Sequence, residues 1–389
     1  MFRIQKSIPM ALVVCLGLAL FGGSSGNAAD TDDAGSFLAS LKNVANPSTV
    51  PGSGDVNPYG VAFVPHSGGS LKSGGILVSN FNNSMNSQGT GNTIVQIDKH
   101  GNQSLFFQGS GLGLTTALGV LPGNLVIVGN LPTDMSGAAT QGSLLILSRK
   151  GTIVANLTSS TLLDGPWDLT VQAKGNSALV FVSNVLSGTV TRFNVSVKKG
   201  GVPTVTNLTQ IASGYLTRTD PNALVVGPTG LVFDSSKNLL YVASTGDNEI
   251  FSIANAATTT ADGGMGTLVY RDPAHLRGPL ALAMAPNGDL LTTNGDAVNP
   301  DSTGAQNSEI VEFTPGGSFV DQLQVDIPAG AAFGIAVSNG ELAAVNDNTN
   351  TLGIFVDSDT DTGSGMGGMG GMGGMGGMGG MGGMGMNGM

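Results

Sequence analysis

The 389-residue chain carries 62 glycines and only 11% charged residues, against about 7% glycine and about 25% charge in an average soluble domain. Lys+Arg 15 against Asp+Glu 26 gives a net charge of -11, which argues against a nucleic-acid partner, because neutralising phosphates takes a basic footprint. An apolar fraction of 40% is sufficient to fill a core and excludes a chain that is disordered throughout.

Arg3 and Lys6 precede an apolar run over residues 8–21, which gives way to small residues ending at Ala28 and Ala29. This is the order of a secretory signal peptide, so residues 1–29 are expected to be removed and the mature protein to be secreted or periplasmic. The run is shorter than the ~20 apolar residues a bilayer-crossing helix needs, so no stable membrane span is expected after removal. Cys15, the one cysteine, lies inside this segment, and the exported protein is expected to have no disulfide and no thiol chemistry.

Residues 30–357 contain a repeat. GILVSN at 75–80 recurs as NLVIVGN at 124–130, ALVFVSN at 178–184, NLLYVAS at 238–244, DLLTTN at 289–294 and ELAAVN at 341–346. The copies close on Asn80, Asn130, Asn184, Ser244, Asn294 and Asn346, spaced 50, 54, 60, 50 and 52 residues apart. A period near fifty, made of short apolar runs and turns, matches one propeller blade per unit; parallel β-helices and sandwiches have other repeats or strand spacings. Ahead of each phrase stands a glycine-containing apolar strand, such as 57–64 or 332–337, expected to be innermost, where small residues let strands crowd around an axis. A third strand follows, as at 93–97 and 249–253, and often a fourth; near-continuous apolar strands fit sheets covered on both faces by neighbouring blades.

The sequences YGVAF at 59–63, FGIAV at 333–337 and NLLYVAS at 238–244 resemble the NHL-repeat pattern, in which Gly-Ile-Ala strands are followed by a Tyr-Val-Ala-Asp strand. The resemblance spans roughly residues 37–357 and implies an all-β, six-bladed β-propeller. Such propellers include ligand binders, adhesion modules, lyases and hydrolases, so the likeness is informative about fold rather than function.

The sixth unit supplies three strands, the last at 352–356, and then turns acidic. The segment 36–41 is expected to pair there as an N-terminal closing strand, removing an open edge. Beyond an acidic linker at 358–362, residues 363–389 are almost pure glycine and methionine, with Met366, Met369, Met372, Met375 and Met378 three apart. Glycine loses the most backbone entropy on ordering, so a disordered tail is expected; its thioethers suit Cu(I), and a spacer role competes with that reading.

No zinc-helix, phosphate-loop or nucleophile-elbow motif is present, and His66, His100 and His275 are scattered over a strand end, a turn and a connection. Trp167, the only tryptophan, heads an inner strand where Tyr59 and Phe333 hold matching places, and is expected to pack around the axis. Asn80, Asn130, Asn184, Asn294 and Asn346 should fall on one face of the ring, with Asp168, Asp296 and Asp347 close by. Amide and carboxylate oxygens of this kind can ligate calcium, and the set resembles calcium-dependent propellers of the gluconolactonase type; equally, asparagine ends strands well for local reasons. The long connections at 81–92, 131–142 and 295–307 fall on the same face and could shape a recognition surface. The expectation is a monomeric binding or interaction module, taking a protein, glycan or small molecule on its loop-rich face. A calcium-dependent lactone or ester hydrolase is the alternative.

Overall fold

The computed structural model describes residues 35–198, 203–221 and 223–358. Six four-stranded antiparallel sheets follow one another along the chain. The first comprises Val56–Phe63, Ile76–Asn82, Thr93–Ile97 and Gln103–Gln108, and the second Leu114–Leu121, Leu125–Asn130, Ser143–Leu147 and Ile153–Leu157. Pro166–Lys174, Ser177–Asn184, Thr189–Ser196 and Thr204–Ser213 make the third. The fourth is Pro228–Asp234, Leu239–Ser244, Glu249–Ala254 and Thr267–Tyr270, and the fifth Pro279–Met284, Leu290–Asn294, Glu309–Phe313 and Phe319–Gln324. The sixth takes Ala332–Ser338, Glu341–Asn346 and Thr351–Asp357 from the C-terminal side and Leu41–Ala45 from the N-terminal side. The fold is a six-bladed β-propeller.

Register follows the repeat. The residue that closes each phrase pairs with the start of its own inner strand: Asn80 with Pro58, Asn130 with Leu114, Asn184 with Pro166, Ser244 with Pro228, Asn294 with Pro279 and Asn346 with Ala332. In every blade a register shift follows within four residues, so the inner strand bends as it enters the channel. The inner strands are crowded as expected: a Cβ on Gly334 would run into the Tyr59 carbonyl oxygen, and one on Gly60 would lie 2.8 Å from the Leu118 Cβ.

A belt of hydroxyls ties the inner strands together. Ser79 Oγ accepts the Gly60 N–H and donates to Thr115 O of blade two. Thr115 donates to Pro166 O of blade three, and Ser183 accepts the Asp168 N–H and donates to Thr229 O of blade four. Thr229 donates to Pro279 O of blade five, and Thr293 accepts the Ala281 N–H and donates to Phe333 O of blade six. Each bulge leaves main-chain groups that ladder pairing cannot reach, and the hydroxyls satisfy them across the blade boundary.

The ring closes with an N-terminal strand, but further along the chain than 36–41. Phe37–Ser40 form one helical turn, capped by the Ser36 hydroxyl on the Ala39 N–H, and the pairing strand is Leu41–Ala45, with Lys42 opposite Val356 and Asn43 opposite Phe355. The reason lies in blade five. Glu312, buried in the third strand, accepts the main-chain N–H groups of Phe37 and Leu38, each at 2.9 Å, together with the Ser36 hydroxyl. A carboxylate there favours the helical turn, whose N–H groups are free, over an extended segment. Phe37 and Leu38 are buried with Ala283, Ile310 and Ile335.

A hairpin of Arg218–Asp220 and Leu224–Val226 is inserted between blades three and four and lengthens the 60-residue repeat.

Candidate functional site

The closing asparagines are held by local bonds. Asn184 Oδ1 accepts the Asp164 N–H, and its Nδ2 reaches Leu162 O and the Thr189 and Thr191 hydroxyls. Asn130 accepts the Gly113 N–H and donates to Ser143; Asn294 accepts the Arg277 N–H and donates to His275 O. Asn80 donates to Thr49 O and Thr93, and Asn346 bonds the Asp326 carboxylate and the Thr349 N–H. In each case the amide turns along its own sheet, toward the third strand or the incoming connection. Side chains alternate along a strand, so at Asn80, Asn184 and Asn294 it is the hydroxyl one place earlier, of Ser79, Ser183 and Thr293, that faces the neighbouring blade. The five amides do not border the cavity on this face.

That cavity, of about 530 Å³, is bordered by residues distant in sequence. Tyr59, Trp167 and Phe333, each near the start of an inner strand, line it together. Tyr59 stacks on Phe333 with centroids 4.3 Å apart and on Phe81 at 4.5 Å, and Trp167 meets Phe81 edge-on at 5.6 Å. The packing role expected of Trp167 is thus present, and the same rings border open space. Asp220, Val225 and Val226 of the inserted hairpin contribute, as do Gln88 and residues 295–297 and Pro300 from two of the three long connections.

Polar groups with incomplete hydrogen bonding collect here. Asn57 and Asp296, 5% and 8% exposed, each have one buried side-chain oxygen without a partner, and Trp167, 2% exposed, has an unpartnered indole N–H. Asn57 and Asp296 also hold left-handed backbone conformations, φ 60° and 56°, which asparagine and aspartate tolerate best among non-glycine residues. The other oxygen of Asp296 accepts the N–H groups of Ser308 and Gly330, both at 2.9 Å; burial nonetheless raises its pKa, opposed by these bonds and by Arg277. Asp347, half-buried beside the sequence-expected Asn346, receives no side-chain hydrogen bond from the described residues, and burial pushes its carboxyl up to about 7. The Tyr59 hydroxyl is raised too, by burial first and then by the Asp347 charge. Asp220 forms an ion pair with Arg218.

Asp168 lies deeper, away from the mouth. It borders a cavity of about 50 Å³ in the axial channel, among Val61, Leu118, Leu231, Leu282 and Ile335, with Thr116 as a polar neighbour. Its carboxyl accepts the Leu169 N–H at 2.7 Å, yet desolvation pushes it up to about 7. Of the three aspartates, therefore, Asp296 and Asp347 share the loop-face cavity and Asp168 does not.

Among the described residues no three His, Cys, Asp or Glu side chains gather closely enough to hold a metal ion. Calcium takes six to eight oxygens, whereas two aspartates and one unpartnered amide oxygen border the cavity beside an ion-paired Asp220. The residues do not fit a calcium shell. His275 is bonded to Asp272 at 2.6 Å and stacked on Phe319, outside the cavity. The signal-peptide residues 1–29 and the methionines Met366, Met369, Met372, Met375 and Met378 lie outside the described residues.

No protein-family model matches the chain, and no curated protein matches it in sequence. Solved structures do match in shape. Virginiamycin B lyase from Staphylococcus aureus superposes with a TM-score of 0.50 at 12% identity, covering 81% of this chain and 99% of that one. A calcium-binding regucalcin from Agrobacterium tumefaciens gives 0.48 at 12% identity, over 80% and 92% of the two chains. The likeness is one of fold alone.

Sequence reasoning had pointed to this face through the long connections and the Asp296 and Asp347 neighbourhoods. Gln88 falls within the expected 81–92 connection, whereas Asn57 and Asp220 are not singled out by the sequence. Asn57 carried a usable signal: it stands just before Pro58 and the first inner strand, where an asparagine marks an unusual backbone turn.

Proposed function

We propose that the chain is an exported, NHL-type propeller that acts as a monomeric binding module and takes a small organic ligand in the loop-face cavity. The observation that carries this reading is the group of three bordering residues, Asn57, Trp167 and Asp296, each with a buried polar atom that the protein leaves unpaired. An unpaired buried donor or acceptor costs about 1–3 kcal/mol, which a ligand supplying the missing bond would recover. The volume and the aromatic floor suit a small molecule better than a flat protein partner. Trp167 is the chain's only tryptophan, so its fluorescence reports this site directly. Titrating the protein with a panel of small sugars, lactones and amines should give a saturable change in emission, accompanied by a rise in melting temperature. A flat response in both measurements across the panel excludes the cavity as a ligand site.

One observation favours a second reading, hydrolysis of a lactone or ester. Asp347 borders the cavity with no hydrogen bond to its carboxyl from the described residues and is pushed up to about 7, the range in which a carboxyl can exchange a proton with water at neutral pH. Turnover of a lactone panel that disappears in Asp347→Asn supports it; equal rates in parent and variant remove it.

A further inference from the structure

The cavity has a definite charge and a definite hydrogen-bonding sense. Asp220, Asp296 and Asp347 border it, and among the described residues no lysine or arginine does. Arg218 is bound to Asp220, and the Arg277 guanidinium donates through its terminal nitrogens to Asn299 O, Ala274 O and Gln306 Oε1, with its Nε unpaired and its charge acting on Asp296; neither arginine is among the bordering residues. The unpaired atoms are acceptors more than donors: Asn57 Oδ1 and Asp296 Oδ1 against the single Trp167 N–H, with the Asp347 carboxyl receiving nothing from the described residues. Three aromatic rings lie along the same wall.

A ligand that completes such a site must bring several donors and a positive charge. A carboxylate or phosphate would face the carboxyls of Asp296 and Asp347 with no basic side chain among the described bordering residues to meet it. A neutral polyol could donate to the oxygens, but would leave Asp347, which has no basic partner among the described residues, in a poorly solvated cavity without a counter-charge. An ammonium group carries three donors and no acceptor, offsets the buried negative charge, and is attracted to aromatic faces.

Resting on the ligand-binding reading above, we propose that the cavity selects a protonated amine, with the ammonium held between Asp347, Asp296 and Asn57 against the aromatic wall of Tyr59, Trp167 and Phe333. The overall acidity of the chain, net charge -11, favours approach of a cation and adds salt dependence.

The test uses the full-length exported chain and two sets of shape-matched probes: glucosamine, glucose and glucuronate; and cyclohexylmethylamine, cyclohexylmethanol and cyclohexanecarboxylate. Binding is read from Trp167 emission and checked by calorimetry. At least one amine should bind roughly tenfold or more tightly than its neutral counterpart, with its acid counterpart weakest, and added salt should weaken the amine alone. Asp347→Asn should remove most of the amine's advantage over its neutral counterpart; Asp296→Asn provides the same comparison if the first variant does not fold. If neutral probes bind as tightly as amines, or both variants keep the full preference, the amine proposal is overturned while the ligand-binding reading stands. If no probe binds, both fall.

Discussion

Asp168 offers a stringent check on how the channel interior is built. Its carboxyl is surrounded by aliphatic side chains and is pushed from 3.8 up to about 7 by desolvation, against the pull of the Leu169 N–H. Because the folded protein holds this proton to a higher pH than the unfolded chain, the associated stability is fully present below about pH 4. It is lost progressively as the pH rises toward 7 and is gone above that. Roughly three pKa units at about 1.4 kcal/mol each set an upper limit of ~4 kcal/mol. The adjoining 50 Å³ space has room for a water, whose entry would moderate the desolvation, so a loss of roughly 2 kcal/mol is the working figure. Between pH 5 and pH 8 this amounts to a fall in Tm of roughly 2–4 °C for a domain of this size. Carboxyls shifted downward by hydrogen bonds, such as Asp98 and Asp301, change stability only at lower pH, and Asp347, also pushed up to about 7, titrates in parent and variant alike, so the difference between their curves isolates Asp168. Asp168→Asn keeps an oxygen for the Leu169 N–H but removes the titration. Scanning calorimetry of parent and variant at constant ionic strength should therefore show curves that diverge as pH rises, the variant gaining relative stability. Parallel curves would refute the placement of this carboxyl in a poorly solvated channel.

Removing residues 30–45 should cost several kcal/mol and expose the edge at Thr351–Asp357, because main-chain pairing and the buried Phe37 and Leu38 go together; a truncated chain that melts like the parent would contradict the closure. Glu312→Ala should be destabilised by about 3 kcal/mol, since it strands the Phe37 and Leu38 N–H groups, and hydrogen exchange should rise first at those two amides. Asn184→Ala should cost about 2–3 kcal/mol through its local bonds. Neither parent nor variant should change in melting temperature between calcium and chelator; a calcium response confined to the parent would restore a metal role for this asparagine. Gly334→Ala drives a methyl group into the Tyr59 carbonyl and should abolish soluble expression or lower Tm by many degrees.

What the sequence alone determined was the repeat and all that follows from it. Six apolar phrases at near-constant spacing specify six sheets, and the period-2 geometry of strands places each closing residue opposite the start of its inner strand, as Asn184 stands opposite Pro166. The ring's closure by an N-terminal strand was legible for the same reason, since the sixth unit lacks a fourth strand. The tertiary structure decided where that strand begins, because Glu312, some 275 residues away, captures the Phe37 N–H and turns 37–40 into a helix. It also decided which polar residues face the cavity. The asparagines that recur in the repeat bond to their own blade or its incoming connection, with only the Asn80 Oδ1 left unpaired, and recurrence marks what every blade needs. Asn57, Asp220 and Asp347 recur in no pattern, and they meet Trp167 only because four separate parts of the ring converge on one face. Local spacing records the contacts a strand makes with its neighbours in the chain; a site assembled across blades leaves no such record until the ring closes.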